Sequence, residues 1–299
     1  MANVVCISQG PQTRGSAYRR ALAAARATGG TLTIFTLPRR RSPAGQWATP
    51  AGGPPSAPAW RRADPEPVPS GLDDGEGWNV EAAIRPLPRT PWPEVLSEAL
   101  PAAVSLVVKV AAAERGTAER DAEDLALLRR LPCSLWLVSA LRYERPPGPV
   151  LAALALDEAT EGLDRAVLRT AALVAGVEEL PLCVTHSWAL IGESIVTCPT
   201  RGIGPFRGRR VLRRIRKEHE QRLDALLGRT DIPADVPRVV VKGTVPVGIR
   251  RALRQTEASV LLVGYRGRTG LSRWIQPNLA EEFLGTPGLS LVAVRGNVQ

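Results

Sequence analysis

Lysine is nearly missing from this sequence. Only Lys109, Lys217 and Lys242 are present, although Lys and Arg together number 39. The net charge of +10 therefore rests on arginine. Arginine, alanine and proline richness with so little lysine reads first as a GC-rich coding bias. Such a charge bears on association with anions, not on fold, and nucleic acid is not the expected partner on this ground. Histidine is scarcer still. His186 and His219 have no Ser/Asp or Cys partner at a recognisable spacing, so no nucleophilic triad can be assembled. The four cysteines fit a reduced compartment. Cys6, Cys133 and Cys183 lie in or beside apolar strand-like runs, where cysteine packs as a small hydrophobe, and Cys198 lies in a loop-like segment. Their spacings match no zinc pattern, and no metal is expected. No apolar run approaches the roughly 18–20 residues of a membrane span. The start, MANVVCISQG, has neither a basic n-region nor an apolar h-region, which predicts a cytoplasmic protein.

What is present is a repeat. The 299 residues, 44% of them hydrophobic, allow two domains of roughly 150 residues each, and one plan recurs in both halves. The first half offers a strand over 4–7, a helix over 16–28 ended by Gly29 and Gly30, and a strand over 31–37. The second offers a strand over 150–156, a helix over 161–175 closed by Gly176, and a strand over 182–188. Third strands over 79–84 and 238–241, helices over 93–100 and 246–255, and fourth strands over 104–110 and 259–264 then follow. Each half ends on a helix, a proline (Pro132, Pro287) and a fifth strand, 134–138 or 289–294. Strands alternating with helices predict an α/β fold, a parallel sheet with helices on both faces. The near-continuous apolar runs SLVVKV, SVLLVG and LSLVAV fit strands buried on both sides.

Two inserts break the plan. Residues 38–77, proline-rich and without apolar periodicity, read as a disordered loop. Trp47 and Trp60 make it either a tolerated insertion or a partner-binding segment. Residues 201–217, RGIGPFRGRRVLRRIRK, carry no acid and run into a helix. Val211, Ile215, Leu223, Leu226 and Leu227 mark one stripe as buried, with the arginines solvated. The alternative is a surface for nucleic acid or acidic lipid.

The segment 259–284 is the most chemically suggestive. An apolar run over 260–263 breaks into Gly264, Gly267 and Gly270, with Arg266, Arg268 and Thr269 between them, and a helical pattern with Asn278, Glu281 and Glu282 follows. A strand feeding a glycine-rich turn and then a helix can bring backbone N–H groups up to an anion. A packed strand-to-helix connection, an ATP-like nucleotide and another anionic ligand all remain open for GYRGRTG.

The repeat plan, strand–GYRGRTG–helix–NLAEE and the terminal apolar strand together resemble a tandem universal stress protein, the E type with two fused domains. LVVKVA and LALLRRLPCSLWLV in the first half, and VLAALALDEATEG and LPLCVTHSW in the second, are similar to segments of that family. The resemblance covers nearly the whole chain outside 38–77. It implies two domains, 1–145 and 146–299, each a five-stranded parallel sheet of the adenine-nucleotide alpha-hydrolase-like class in the order 3-2-1-4-5. It also implies an intramolecular pseudo-dimer, with a homodimer as a further assembly, in a bacterial stress response.

In the nucleotide-binding branch of that family, ATP is held by G-x2-G-x9-G-(S/T) with an aspartate from the first strand near the ribose. The resemblance puts Asp157 in the aspartate's place and Val184 at the adenine side after strand two. Val263, Gly264, Arg266 and Gly267 form the first glycine turn, and Pro277 and Asn278 fall on the second part. ATP or AMP is thus the implied ligand of the second domain. Pro277 departs from the pattern, because proline offers no N–H where the family's glycine would face phosphate. Asn278 brings an amide in place of the hydroxyl, though it can still donate. In the first half Val110 and Ala113 stand where Gly264 and Gly267 stand, and Ser8–Gln9–Gly10 replaces the aspartate, so no nucleotide is expected there. Lys109 is expected to snorkel to a loop. His186 is expected either in a hydrogen-bonded structural role or beside the pocket, and His219 on the solvent side. The acids Asp157–Glu158 and Asp121, Glu123 and Asp124 read as helix N-terminal turns. The expected function is a non-catalytic binding and interaction protein for a small anionic ligand. An anionic-surface binder and a weak ATPase are the alternatives.

Overall fold

The computed structural model describes residues 3–9, 15–37, 66–67, 82–87, 92–100, 103–111, 118–139, 146–190, 205–265 and 279–296. Among them the chain is α/β, with helices and a large, mostly parallel sheet. It divides into two compact units: Met1–Arg142 with Leu284–Ser290, and Tyr143–Phe283 with Leu291–Gln299.

The first unit carries strands β1 (Asn3–Gln9), β2 (Leu32–Leu37), β3 (Glu66–Pro67), β4 (Ala82–Pro86), β5 (Val104–Val110) and β6 (Ser134–Val138), with helices α1 (Ser16–Thr28), α2 (Trp92–Ala99) and α3 (Ala118–Arg130). The strand order is β3-β4-β2-β1-β5-β6. The pairings β1–β2, β1–β5, β2–β4 and β5–β6 are parallel. Helix α1 buries Ala17, Tyr18, Ala21, Ala24 and Ala25, a stripe at helical spacing. It stops where Gly29 takes φ 60 and the Gly30 N–H donates to Ala25 O at 2.9 Å, a left-handed turn that glycine enters without a Cβ clash.

Three expectations change in this part of the molecule. The five-stranded reading lacked β3, which pairs antiparallel with β4. Glu66 and Pro67 lie in the proline-rich insert, and they cover a strand edge that would otherwise present unpaired backbone groups. The remainder of 38–77, with Trp47 and Trp60, lies outside the described residues, as do Gly10, Ala113 and Cys198. Lys109 does not snorkel: it is 3% exposed, and its Nζ lies 2.6 Å from Oδ1 of Asp124, itself 2% exposed. Nor is Asp124 a solvated acid at a helix start. It shares the buried stripe of α3 with Leu127, Leu128 and Leu131, three, four and seven residues on.

In the second unit the strands are β7 (Val150–Leu154), β8 (Leu182–Trp188), β9 (Arg238–Lys242), β10 (Val260–Tyr265) and β11 (Ser290–Arg295). The helices are α4 (Glu161–Glu178), α5 (Pro205–Leu227), α6 (Val245–Thr256) and α7 (Leu279–Phe283). A 3-10 turn at Glu158–Thr160 precedes α4. The strands run β11-β10-β7-β8-β9, with β10–β7, β7–β8 and β8–β9 parallel. Gly176 does not close α4, which continues to Glu178. The left-handed cap is Glu179 at φ 57, and the Leu180 N–H donates to Ala175 O at 3.0 Å. A glycine is a good guess for that cap, but the chain places it inside the helix.

Strand β8 shows how two helical layers arise. Side chains alternate across a strand, so His186 and Trp188 point to one face and Ser187 to the other. His186 and Trp188 meet His219 of α5, whereas Ser187 meets Gly248 of α6. Helices α5 and α6 therefore cover opposite faces. Cys6, Cys133 and Cys183 are buried free thiols, and burial pushes the Cys6 thiol up to about 12, consistent with an inert packing role.

Candidate functional site

In the second unit, β7 and β10 are parallel neighbours, with Val263 opposite Ala153. From β7 the chain crosses through α4 to β8 on one side, while β10 lies on the other. That reversal opens a crevice at the carboxyl ends of the two strands, the usual place for a ligand in an open parallel sheet. One wall is the segment after β7. Leu156 there adopts φ 57, a left-handed conformation that costs a leucine roughly 1–2 kcal/mol. Asp164 holds it: Oδ1 accepts from the Ala155 N–H at 3.0 Å and Oδ2 from the Leu156 N–H at 2.8 Å. The carboxylate is 3% exposed. Its desolvation raises the pKa against the opposing pull of those two N–H groups. Asp157 follows, its Oδ1 accepting from the Ala159 N–H at 3.1 Å as the cap of the 3-10 turn.

A cleft of about 460 Å³ opens beside this segment, lined by Leu156, Asp157, Glu161, Asp164, Arg222 and Arg229 among others. Glu161 accepts from Arg165 at 2.5 Å and from Arg229 at 3.4 Å. The Arg165 hydrogen bond and charge, with Arg229 behind them, hold its carboxyl below the usual range. Arg229 is thus tied to Glu161. The cleft offers carboxylate acceptors for hydroxyl or amino groups and the Arg222 guanidinium for an anion.

The other side of the crevice is packed. A Cβ built on Gly264 would lie 2.8 Å from both Cγ and Cδ2 of Leu163, and one on Gly296 3.2 Å from Leu163 Cδ1. Gly264 therefore leaves room for a leucine from the first turn of α4. Beyond it, the Arg295 guanidinium lies 5.8 Å from the Tyr265 ring centroid.

Two imidazoles meet behind the cleft. His186 Nδ1 lies 3.0 Å from Leu154 O. A carbonyl only accepts, so Nδ1 carries the hydrogen, and Nε2 of the neutral ring accepts from Nδ1–H of His219 at 2.9 Å. Burial, with the charges of His219 and Arg222, lowers the pKa of His186 against the opposing Leu154 bond. Burial and Arg222 lower that of His219. The unfolded chain thus takes up protons at a higher pH than the folded one, so stability falls as pH drops below the ordinary histidine value of about 6.5. For a single histidine the slope is at most about 1.4 kcal/mol per pH unit. Urea midpoints measured from about pH 7.5 to about pH 5.5 are expected to fall more steeply for wild type than for His186→Gln. Parallel curves would refute the assignment.

Of the residues singled out in the sequence, Asp157 lines the cleft and Gly264 stands at the crevice. Val263 is fully buried inside β10. Val184 lies inside β8, buried between Ala152 and Arg238 of its neighbours. Arg266, Gly267, Pro277 and Asn278 fall outside the described residues. His219 is not solvent-facing: it is half-buried against His186 and Trp188. The sequence reading missed Leu163, Asp164 and Arg222. A signal existed for Asp164, and one for the burial of His219. Asp164 shares the apolar stripe of Val167, Leu168 and Ala171, and His219 falls midway between Ile215 and Leu223 at spacings of four.

No protein-family model and no curated protein sequence matches this chain. Solved structures do. A provisionally named universal stress protein from Pseudomonas aeruginosa UCBPP-PA14 matches at 18% identity and TM-score 0.64, over 99% of this chain and 93% of the other. A universal stress protein from Archaeoglobus fulgidus matches at 11% identity and TM-score 0.53, over 98% of each chain. The fold is universal-stress-protein-like. The cytoplasmic domain of a prokaryotic cation chloride cotransporter also matches, at 12% identity and TM-score 0.51, over 100% of this chain and 97% of that one, so a universal-stress-protein-like fold does not by itself assign an activity. Among the described residues no helix is long and apolar enough to cross a membrane.

Proposed function

We propose that this chain is a non-catalytic binding and interaction protein of the universal stress type, built of two such domains. Its nucleotide site is degenerate: in the first domain Val110 stands in place of a turn glycine beside the buried Lys109–Asp124 pair, and in the second Leu163 packs the Gly264 side of the crevice. The observation that carries this reading is Leu163 against Gly264, a side chain that fills the space beside the first glycine of the turn. Pro277 adds to it by removing a donor. The non-catalytic reading is supported by the two imidazoles, which are hydrogen-bonded to each other and to Leu154 O.

A second reading, one nucleotide-type pocket for ATP or AMP in the second domain, is favoured by Asp157 on the cleft wall. Gentle denaturation followed by mass spectrometry of released small molecules separates the two. No stoichiometric nucleotide is expected. ATP at a hundredfold excess over its Kd would add about 2.7 kcal/mol of stability. A shift of that size in wild type, lost in Gly267→Val, would overturn the degenerate-site reading. Steady ATP hydrolysis above background would overturn the non-catalytic one.

A further inference from the structure

Helix α5 divides its residues sharply. Leu223 and Leu226 are buried, and Val211, Leu212, Ile215 and His219 are half-buried along the same side. The helix packs on β8 and β9. Arg209, Arg210, Arg213, Arg214, Arg216 and Lys217 are exposed. At 100° per residue these six cations fall within an arc of about 160°, opposite the apolar side, and along a rise of only about 12 Å. Between 205 and 217 there is no acidic residue. Arg214 and Arg216 reach forward to Glu218 at 3.2 Å and to Glu220 at 2.8 Å. Arg210, Arg213 and Lys217 form no ion pair among the described residues.

The geometry points to this face as a docking surface for the phosphate backbone of duplex DNA, read without sequence preference. Three features favour that partner, the first of them against a lipid surface. Insertion into a bilayer interface needs an exposed apolar face beside the basic one, and on α5 the apolar side is turned toward the sheet. Five of the six cations are arginines, whose planar guanidinium pairs with phosphate oxygens through two parallel bonds. A helix about 10–12 Å across also fits a major groove about 12 Å wide, which lets cations on a wide arc reach both phosphate walls. The sequence reading favours a solvated arginine face here and keeps a surface for nucleic acid or acidic lipid as the alternative. The structure adds that these charges are collected on one face, with half of them unneutralised by neighbours. This inference does not depend on the crevice, and its failure would leave the proposed function untouched.

The test uses the full chain, a fluorescently labelled short duplex DNA of mixed sequence, and phosphatidylcholine vesicles with and without phosphatidylglycerol. Duplex binding is expected. For four phosphate contacts it should weaken roughly 10²-fold between about 50 and 200 mM salt. The variant Arg210→Glu/Arg213→Glu/Lys217→Glu should bind at least about tenfold more weakly with an unchanged melting temperature. Arg210→Lys/Arg213→Lys should retain most of the binding. No duplex binding, binding to anionic vesicles in its place, or full duplex binding by the triple variant would each overturn the proposal.

Discussion

Alanine at Asp124 is expected to destabilise the first unit by about 3–5 kcal/mol, because it strands a buried ammonium. Lys109 Nζ has the Asp124 carboxylate at 2.6 Å and Val110 O at 3.1 Å, and at 3% exposure it has little access to water. Removing the carboxylate leaves one carbonyl to solvate a full charge. The lysine must then drag water inward or pull its strand end out of register. Removing both charges is a different experiment. The pair was expensive to desolvate, so Lys109→Met with Asp124→Leu should cost far less than Asp124→Ala alone and can even stabilise. Urea midpoints for the two variants give the answer. A double variant as damaged as the single one would show that packing, not the uncompensated charge, sets the loss.

The second large effect is steric. Gly248→Ala would normally strengthen a helix by about 1 kcal/mol. Here the new Cβ would overlap Ser187 Oγ and lie 2.6 Å from Ser187 Cβ. The hydroxyl can rotate away, but the Cβ belongs to a strand held between β7 and β9. Helix α6 must therefore lift from the sheet, and a net loss of about 1–3 kcal/mol is expected. Gly176→Ala is the matched control. It sits inside α4, and a Cβ added there would have no atom within 4 Å, so the propensity gain should appear unopposed. Ser187→Gly in the Gly248→Ala background should recover most of the loss. If Gly248→Ala and Gly176→Ala both stabilise, the close approach of α6 to β8 is wrong.

How much of this was legible beforehand varies by residue. Helix α1 could be placed to the residue, because its alanine stripe, Gly29 cap and following alternation all agree. The cap of α4 was misplaced because the nearest glycine looked like the stop, whereas Glu179 takes the left-handed position and bears the strain. Strand β3 escaped notice because two residues carry no periodicity. Its pairing is decided by the open edge of β4. Lys109 with Asp124, and His186 with His219, are contacts across 15 and 33 positions of sequence. Lys109 and His186 stood out at strand ends, whereas Asp124 and His219 read as solvated, and only the packed elements show which partner each finds.

By itself, then, the sequence determined the α/β alternation and the lack of a membrane-length apolar run. Each of these is a local or periodic property, written in neighbouring residues. The tertiary structure decided what those features touch. It placed Leu163 in the space that Gly264 leaves and closed the Lys109–Asp124 and His186–His219 pairs. Those outcomes depend on which elements pack together, and burial sets their energies through desolvation and steric fit, which no single segment encodes.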